Sequence, residues 1–175
     1  QCFIDSLINN DIQDPMHCLS MIMLFMSKSA HYKKSYSEDE KKKLLHIDHS
    51  ILDVKRIYAV LPNIISLLYS KLNHISITSE KWTNGYGEKI CSALNISYDF
   101  QDIVQKYIIA HSGQGKGNVA AHVGHLTYCV NNNIYECLSN SITALGGRKH
   151  ASSSQDSIKL IDHFKTEYGT NPTTT

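Results

Sequence analysis

The chain has 175 residues, 42% hydrophobic and 19% charged, enough for one sizeable core and ordinary for a globular domain. Lys and Arg total 17 against 16 Asp and Glu, and the formal charge of +1 gives no electrostatic reason to expect nucleic acid or an acidic membrane surface. Ligand specificity must come from a local site, and only Arg56 and Arg148 offer the planar fork that holds a carboxylate in two hydrogen bonds.

The apolar spacing is helical from end to end, and no period-two run bounded by turns appears, so an all-α, multi-helix fold is expected. A first helix is predicted over about 15–27, with Leu19, Ile22, Met23 and Met26 on one stripe. The apolar run over residues 18–26 is too short to span a bilayer, so no membrane is expected. Ser37 and Glu40 form a capping box for a helix through Lys41 to Lys43, a solvated basic face. Ser50 is expected to cap a longer helix that turns Ile51, Val54, Tyr58, Leu61, Ile65 and Leu68 inward and is kinked by Pro62.

Further helices are predicted at about 81–94, 100–111, 118–130, 134–145 and 155–165, with longer loops at 30–36 and 151–154. Residues 1–165 read as one helical unit and 166–175, ending in threonines, as a loop or frayed tail. Five cysteines without a C-x-x-C pair suit buried thiols better than a disulfide framework. The Asn95-Ile96-Ser97 sequon is expected to be unused. The start at Gln1 suggests that upstream residues, and any targeting sequence, are absent.

The chemistry-bearing segment is His111-Ser112-Gly113-Gln114-Gly115-Lys116-Gly117-Asn118, a glycine-rich turn between two helical patterns. It lacks the hydroxyl after Lys116 that a phosphate-binding loop needs, and its plain reading is a tight corner in which glycine supplies positive φ. His122 and His125 lie three apart on the next helix, yet no cysteine or carboxylate completes a ligand set, so no metal is expected. His150 follows Gly146-Gly147-Arg148-Lys149, where the glycines can end a helix and aim its imidazole from a loop into a cavity.

In this segment His111-Ser112, Gly117-Asn118-Val119, Ala121-His122 and His125-Leu126 together resemble the H-S-x-x-x-x-G-N-V-x-A-H-x-x-H-L signature of eukaryotic citrate synthases. In the same register Gly147, His150 and Gln155 fall on that family's G-P-L-H-G-L-A-N-Q loop, whose histidine is catalytic. Upstream, Pro15-Met16 matches the end of a family H-P-M segment with Asp14 in place of the histidine, and Leu61-Pro62 matches a proline inside a helix. The similarity covers about residues 5–165.

The resemblance implies a citrate synthase-like large-domain portion. It implies condensation of acetyl-CoA with oxaloacetate to citrate and CoA, with acetyl-CoA as substrate and no cofactor, in a homodimer of the mitochondrial matrix. His150 would be catalytic, and His111, Gln114, Asn118 and His122 would bind substrate. Gln114 stands where the family has an oxaloacetate-contacting histidine, while Arg148, Lys149 and Ala151 replace the proline, leucine and glycine around His150. The family's second catalytic histidine, its aspartate and its substrate-binding arginines lie well beyond His150, and Asp156 and Asp162 are too close to serve. A piece of a longer enzyme, a 2-methylcitrate synthase and a non-catalytic relative with an assembly role all remain open.

Overall fold

The computed structural model describes residues 2–9, 14–32, 43–74, 85–113 and 117–169, and among these every regular element is a helix. The expected capping box at Ser37 and Glu40, and Gln114 with it, lie outside the described residues.

A short helix that the spacing analysis does not anticipate opens the fold: α1, Cys2–Asn9, whose Ile4 and Leu7 are buried. Next comes α2, Pro15–Met26, with Asp14 as its N-cap: the carboxylate accepts the amides of Met16 at 2.8 Å and His17 at 3.0 Å. A cap oxygen at this place satisfies donors that the first turn leaves unpaired, and Pro15 has no N–H to satisfy. A 3₁₀ turn, Ser27–Ser29, ends it.

α3, Lys43–Asn73, is a single 31-residue helix containing Pro62, so Ser50 sits in its interior and caps nothing. Its inward stripe is as expected in the second half, where Leu68 is buried and Leu61 and Ile65 are half-buried, and differs in the first half. Ile51, Val54 and Tyr58 are exposed, and the buried positions are Ser50, Asp53, Ile57, Pro62 and Leu68. The physical reason is Asp53, which is fully buried because its carboxylate accepts the amides of His31 and Tyr32 at 3.0 and 3.2 Å and pairs with His31 Nδ1 at 2.8 Å. That network rotates the helix by about one residue from the purely apolar phase.

α4, Tyr86–Ala93, and α5, Gln101–His111, pack closely through Gly87, whose amide donates to Gln105 Oε1 at 2.7 Å. A Cβ on Gly87 would stand 2.7 Å from the Gln101 carbonyl oxygen, so glycine is needed here for the approach. α6, Val119–Cys129, and α7, Ile134–Leu145, form a helical hairpin in contact along Gly124 and Ser141, and α7 opens with a capping box of Asn133 and Glu136. α8, Arg148–Tyr168, is the last described helix; it begins before the expected 155 and runs past the expected 165, so the loop expected at 151–154 and the first residues of the expected tail are helical.

α2 lies at the centre, packed against α7 and α3. One apolar cluster joins Ile4, Leu7, Cys18, Ile22 and Leu68, a second joins Met23, Ala30, Ile57 and Tyr135, and Leu19, Met26 and Ile64 pack against both. Between α2 and α7 the buried Ser20 hydroxyl lies 2.9 Å from Ser139 Oγ and 2.8 Å from Thr143 Oγ1, while Ser139 Oγ donates to the Ser20 carbonyl at 2.9 Å. These reciprocal bonds allow hydroxyl residues inside a helix contact that would otherwise demand apolar ones. No helix among the described residues is long and apolar enough to cross a membrane.

Candidate functional site

The site forms where the start of α6 meets the start of α8. Gly117 takes φ +84, a backbone conformation open to glycine at no steric cost, and turns the chain into α6. Asn118 then serves as N-cap: its Oδ1 accepts the Ala121 amide at 3.0 Å. This part of the glycine-rich corner behaves as expected.

The turn before α8 works differently from the expectation. Gly146 and Gly147 have φ of −69 and −63, so neither supplies a left-handed residue. Their small size is used instead: a Cβ on Gly146 would lie 3.3 Å from Met16 Cβ, and one on Gly147 would lie 3.2 Å from the Ala144 carbonyl oxygen. α8 therefore starts at once, and His150 belongs to its first turn rather than to a loop, its amide bonded to the Gly147 carbonyl at 2.9 Å.

From that turn the half-buried imidazole reaches back to α6. Nε2 of His150 lies 3.2 Å from Asn118 Oδ1 and 3.4 Å from the Ala120 amide, which donates to it. His150 and Asn118 are thus brought together. The same helix carries His122 one turn on, exposed, its amide bonded to the Asn118 carbonyl at 3.0 Å. His111, at the end of α5, is exposed as well; its Nδ1 donates to the Tyr107 carbonyl at 2.8 Å, and its ring stacks on Tyr107 at 4.0 Å. Among the described residues no group of three His, Cys, Asp or Glu could hold a metal ion.

Neither arginine is placed as a dicarboxylate clamp. Arg56 Nη1 donates to the Ser29 carbonyl at 3.3 Å and to its hydroxyl at 3.0 Å, tying α3 to the 3₁₀ turn, while Arg148 is exposed at the first position of α8. The thiols are equally remote from chemistry. Cys18 and Cys91 are buried and their thiol pKa values are pushed up by burial; burial, with Glu136 beside it, pushes Cys137 to about 11. What sequence reasoning missed is Ala120, since a main-chain donor carries no residue-type signal.

The profile for "Citrate synthase, C-terminal domain" matches residues 2–173. The mitochondrial citrate synthase of Saccharomyces cerevisiae is 26% identical over 160 residues, 88% of this chain and 33% of its own length. That of Tetrahymena thermophila is 25% identical over 161 residues, 89% of this chain and 34% of its own. For the mitochondrial citrate synthase of Daucus carota the figures are 24% over 162 residues, 91% and 34%. The chain thus spans about a third of the length of these relatives, and its identity rests on the whole matched stretch as well as on the motifs. The chain belongs to the citrate synthase family.

Proposed function

We propose that this chain contributes part of the active site of a citrate synthase-type condensing enzyme, one that joins acetyl-CoA to oxaloacetate and yields citrate and CoA. The observation that carries this reading is the placement of His150, half-buried in the first turn of α8 and held through Nε2 at the N-terminus of α6. A ring anchored at one nitrogen presents the other in a fixed direction, which is what a donor to a developing charge requires.

The difficult step is to make a carbon nucleophile from a thioester near neutral pH. In the proposed role His150 donates a hydrogen bond to the thioester carbonyl while a carboxylate from the remainder of the enzyme removes the α-proton. The enolic carbon then attacks the keto carbon of oxaloacetate, the resulting alkoxide takes up a proton, and water cleaves the thioester of the condensed product to release citrate and CoA. One preorganised donor of this kind contributes on the order of 3 kcal/mol to the barrier. Asn118 and His122 share α6 with the anchoring amide, and His111 ends the preceding helix. With Gln114 these are the proposed substrate contacts from this chain. The distal catalytic histidine, the aspartate and the arginines come from the rest of the enzyme, so this piece alone is expected to be inactive. The mitochondrial citrate synthases among its relatives support a mitochondrial site of action, which for this chemistry is proposed to be the matrix. Exposed apolar residues on α6, such as Val119 and Leu126, support helices packed across a homodimer.

One observation favours a second reading, a non-catalytic relative retained for assembly. Arg148 and Lys149, both exposed in the first turn of α8, stand beside His150 where the resembled loop has proline and leucine. The test is CoA release by the complete protein from acetyl-CoA or propionyl-CoA with oxaloacetate. Preference for acetyl-CoA supports citrate formation, preference for propionyl-CoA supports a 2-methylcitrate synthase, and no release from a folded protein supports the assembly reading.

A further inference from the structure

Met16, in the first turn of α2, has neighbours on two sides. A Cβ on Gly146 would lie 3.3 Å from Met16 Cβ, so the start of α2 packs on the turn that ends α7. Met16 also lines a cleft of about 570 Å³ between the start of α2, the last turns of α3 and Leu94 at the end of α4. Leu19, Ile65, Leu68 and Leu72 make its lining apolar, and Leu68 belongs to the first apolar cluster, so the cleft borders the core. A space of this size and lining suits a small organic molecule with hydrocarbon to bury.

The polar groups of the cleft gather where α3 ends, at Tyr69, Lys71, Asn73 and His74. Lys71 is not a free cation, since its Nζ lies 2.7 Å from Asp5 Oδ1. Asn73 Nδ2 is spent on the Tyr69 carbonyl at 2.9 Å. The last four carbonyls of a helix have no amide partner within it, and they carry the negative end of its macrodipole. What this helix end offers a ligand is therefore chiefly acceptors, which fit a hydroxyl or an N–H and repel a carboxylate.

We propose that the cleft binds a neutral, largely hydrocarbon molecule carrying one hydroxyl or N–H at the end that meets the α3 terminus, and that its occupancy is felt at His150 through Met16. The path is short. Gly146 ends α7, Gly147 is the N-cap of α8, and the Gly147 carbonyl holds the His150 amide at 2.9 Å. Glycine at 146 lets Met16 approach the backbone of this turn, so a ligand that displaces the Met16 side chain shifts the point from which α8 starts. The effect on catalysis rests on the reading of His150 as donor to the thioester carbonyl; the binding does not.

The experiment is NMR on the full chain with isotope-labelled methionine methyls, the Met16 signal being assigned by its loss in Met16→Leu. The probe is para-butylphenol, neutral near physiological pH, and its control is para-butylbenzoate, of similar shape but anionic. The phenol should shift the Met16 signal saturably with a Kd on the order of 1 mM, as expected for a ligand of its size. The benzoate should bind about tenfold more weakly or worse. The His150 ring signals should move along the same saturation curve. Leu72→Trp fills the cleft and should abolish both shifts; Leu94→Trp, from α4, serves if Leu72→Trp fails to fold. A Met16 signal that does not saturate, a benzoate that binds as tightly as the phenol, unchanged binding in the folded filled variant, or His150 signals that stay still at saturation overturns the proposal. Binding of this kind without CoA release by the complete enzyme would defeat the proposed function alone; CoA release without saturable binding would defeat this inference alone.

Discussion

Nε2 of His150 stands 3.2 Å from Oδ1 of Asn118, although 32 residues separate them. The contact joins the two stretches that carry the family signature, the glycine-rich corner before α6 and the G-G-R-K-H run that opens α8. Each is short, and neither specifies a site by itself. Their meeting depends on α7, which runs between them and is held against α2 by the Ser20, Ser139 and Thr143 hydroxyls.

That hydroxyl cluster should be measurable. Ser20→Ala removes one member and leaves Ser139 and Thr143 with weaker partners in a buried contact. A loss of about 1–2 kcal/mol in urea unfolding is expected. No loss would mean that water replaces the missing hydroxyl.

Asp53 is the more sensitive position. Its buried carboxylate serves the amides of His31 and Tyr32 and the ring of His31, so Asp53→Ala takes the acceptor from three donors at once. Urea unfolding is expected to show a loss on the order of 3 kcal/mol. Asp53→Asn keeps an acceptor and should lose less; equal losses would contradict the hydrogen-bond account of why α3 turns this face inward.

The helical hairpin offers a test by double substitution. A Cβ on Gly124 would collide with Ser141 Oγ, so Gly124→Ala should destabilise the chain by about 1–3 kcal/mol. Ser141→Gly in the same chain should recover part of that loss. Strict additivity of the two changes would show that the helices do not approach at this point.

Thiol reactivity separates the cysteines. Cys129 is exposed, while Cys18, Cys91 and Cys137 are buried. A raised thiol pKa leaves less thiolate at a given pH, and for Cys137, at about 11, almost none near pH 8. In a Cys2→Ser chain, a disulfide reagent at pH 8 is expected to label Cys129 rapidly and the three buried thiols only on unfolding. Rapid labelling of Cys137 would contradict its burial.

Much of the fold is legible in the residues. The helix over 134–145 and the cores of α2, α5 and α6 follow from apolar period and cap residues, because those helices bury an ordinary apolar stripe. The first half of α3 is misphased because its buried face is built around Asp53, a residue that period counting assigns to water until its donors, 22 and 21 residues away, are known. Gly146 and Gly147 do end α7 at Leu145, and α8 starts earlier than expected because the polar stretch 151–154, which reads as a loop, is helical. Asp14, which looks like a loss against the family H-P-M segment, is the N-cap of α2. At the site, the histidine and the asparagine are visible in sequence; the Ala120 amide is visible only in three dimensions.

The most direct test of the central claim is the rate of CoA release from acetyl-CoA and oxaloacetate by the complete enzyme beside its His150→Ala variant. A fall in kcat of about a hundredfold or more, with folding retained, is the expected result, since a positioned donor to the developing oxygen charge is worth about that much. An unchanged kcat in a folded variant would contradict the assignment of His150 and, with it, the proposed role of this site.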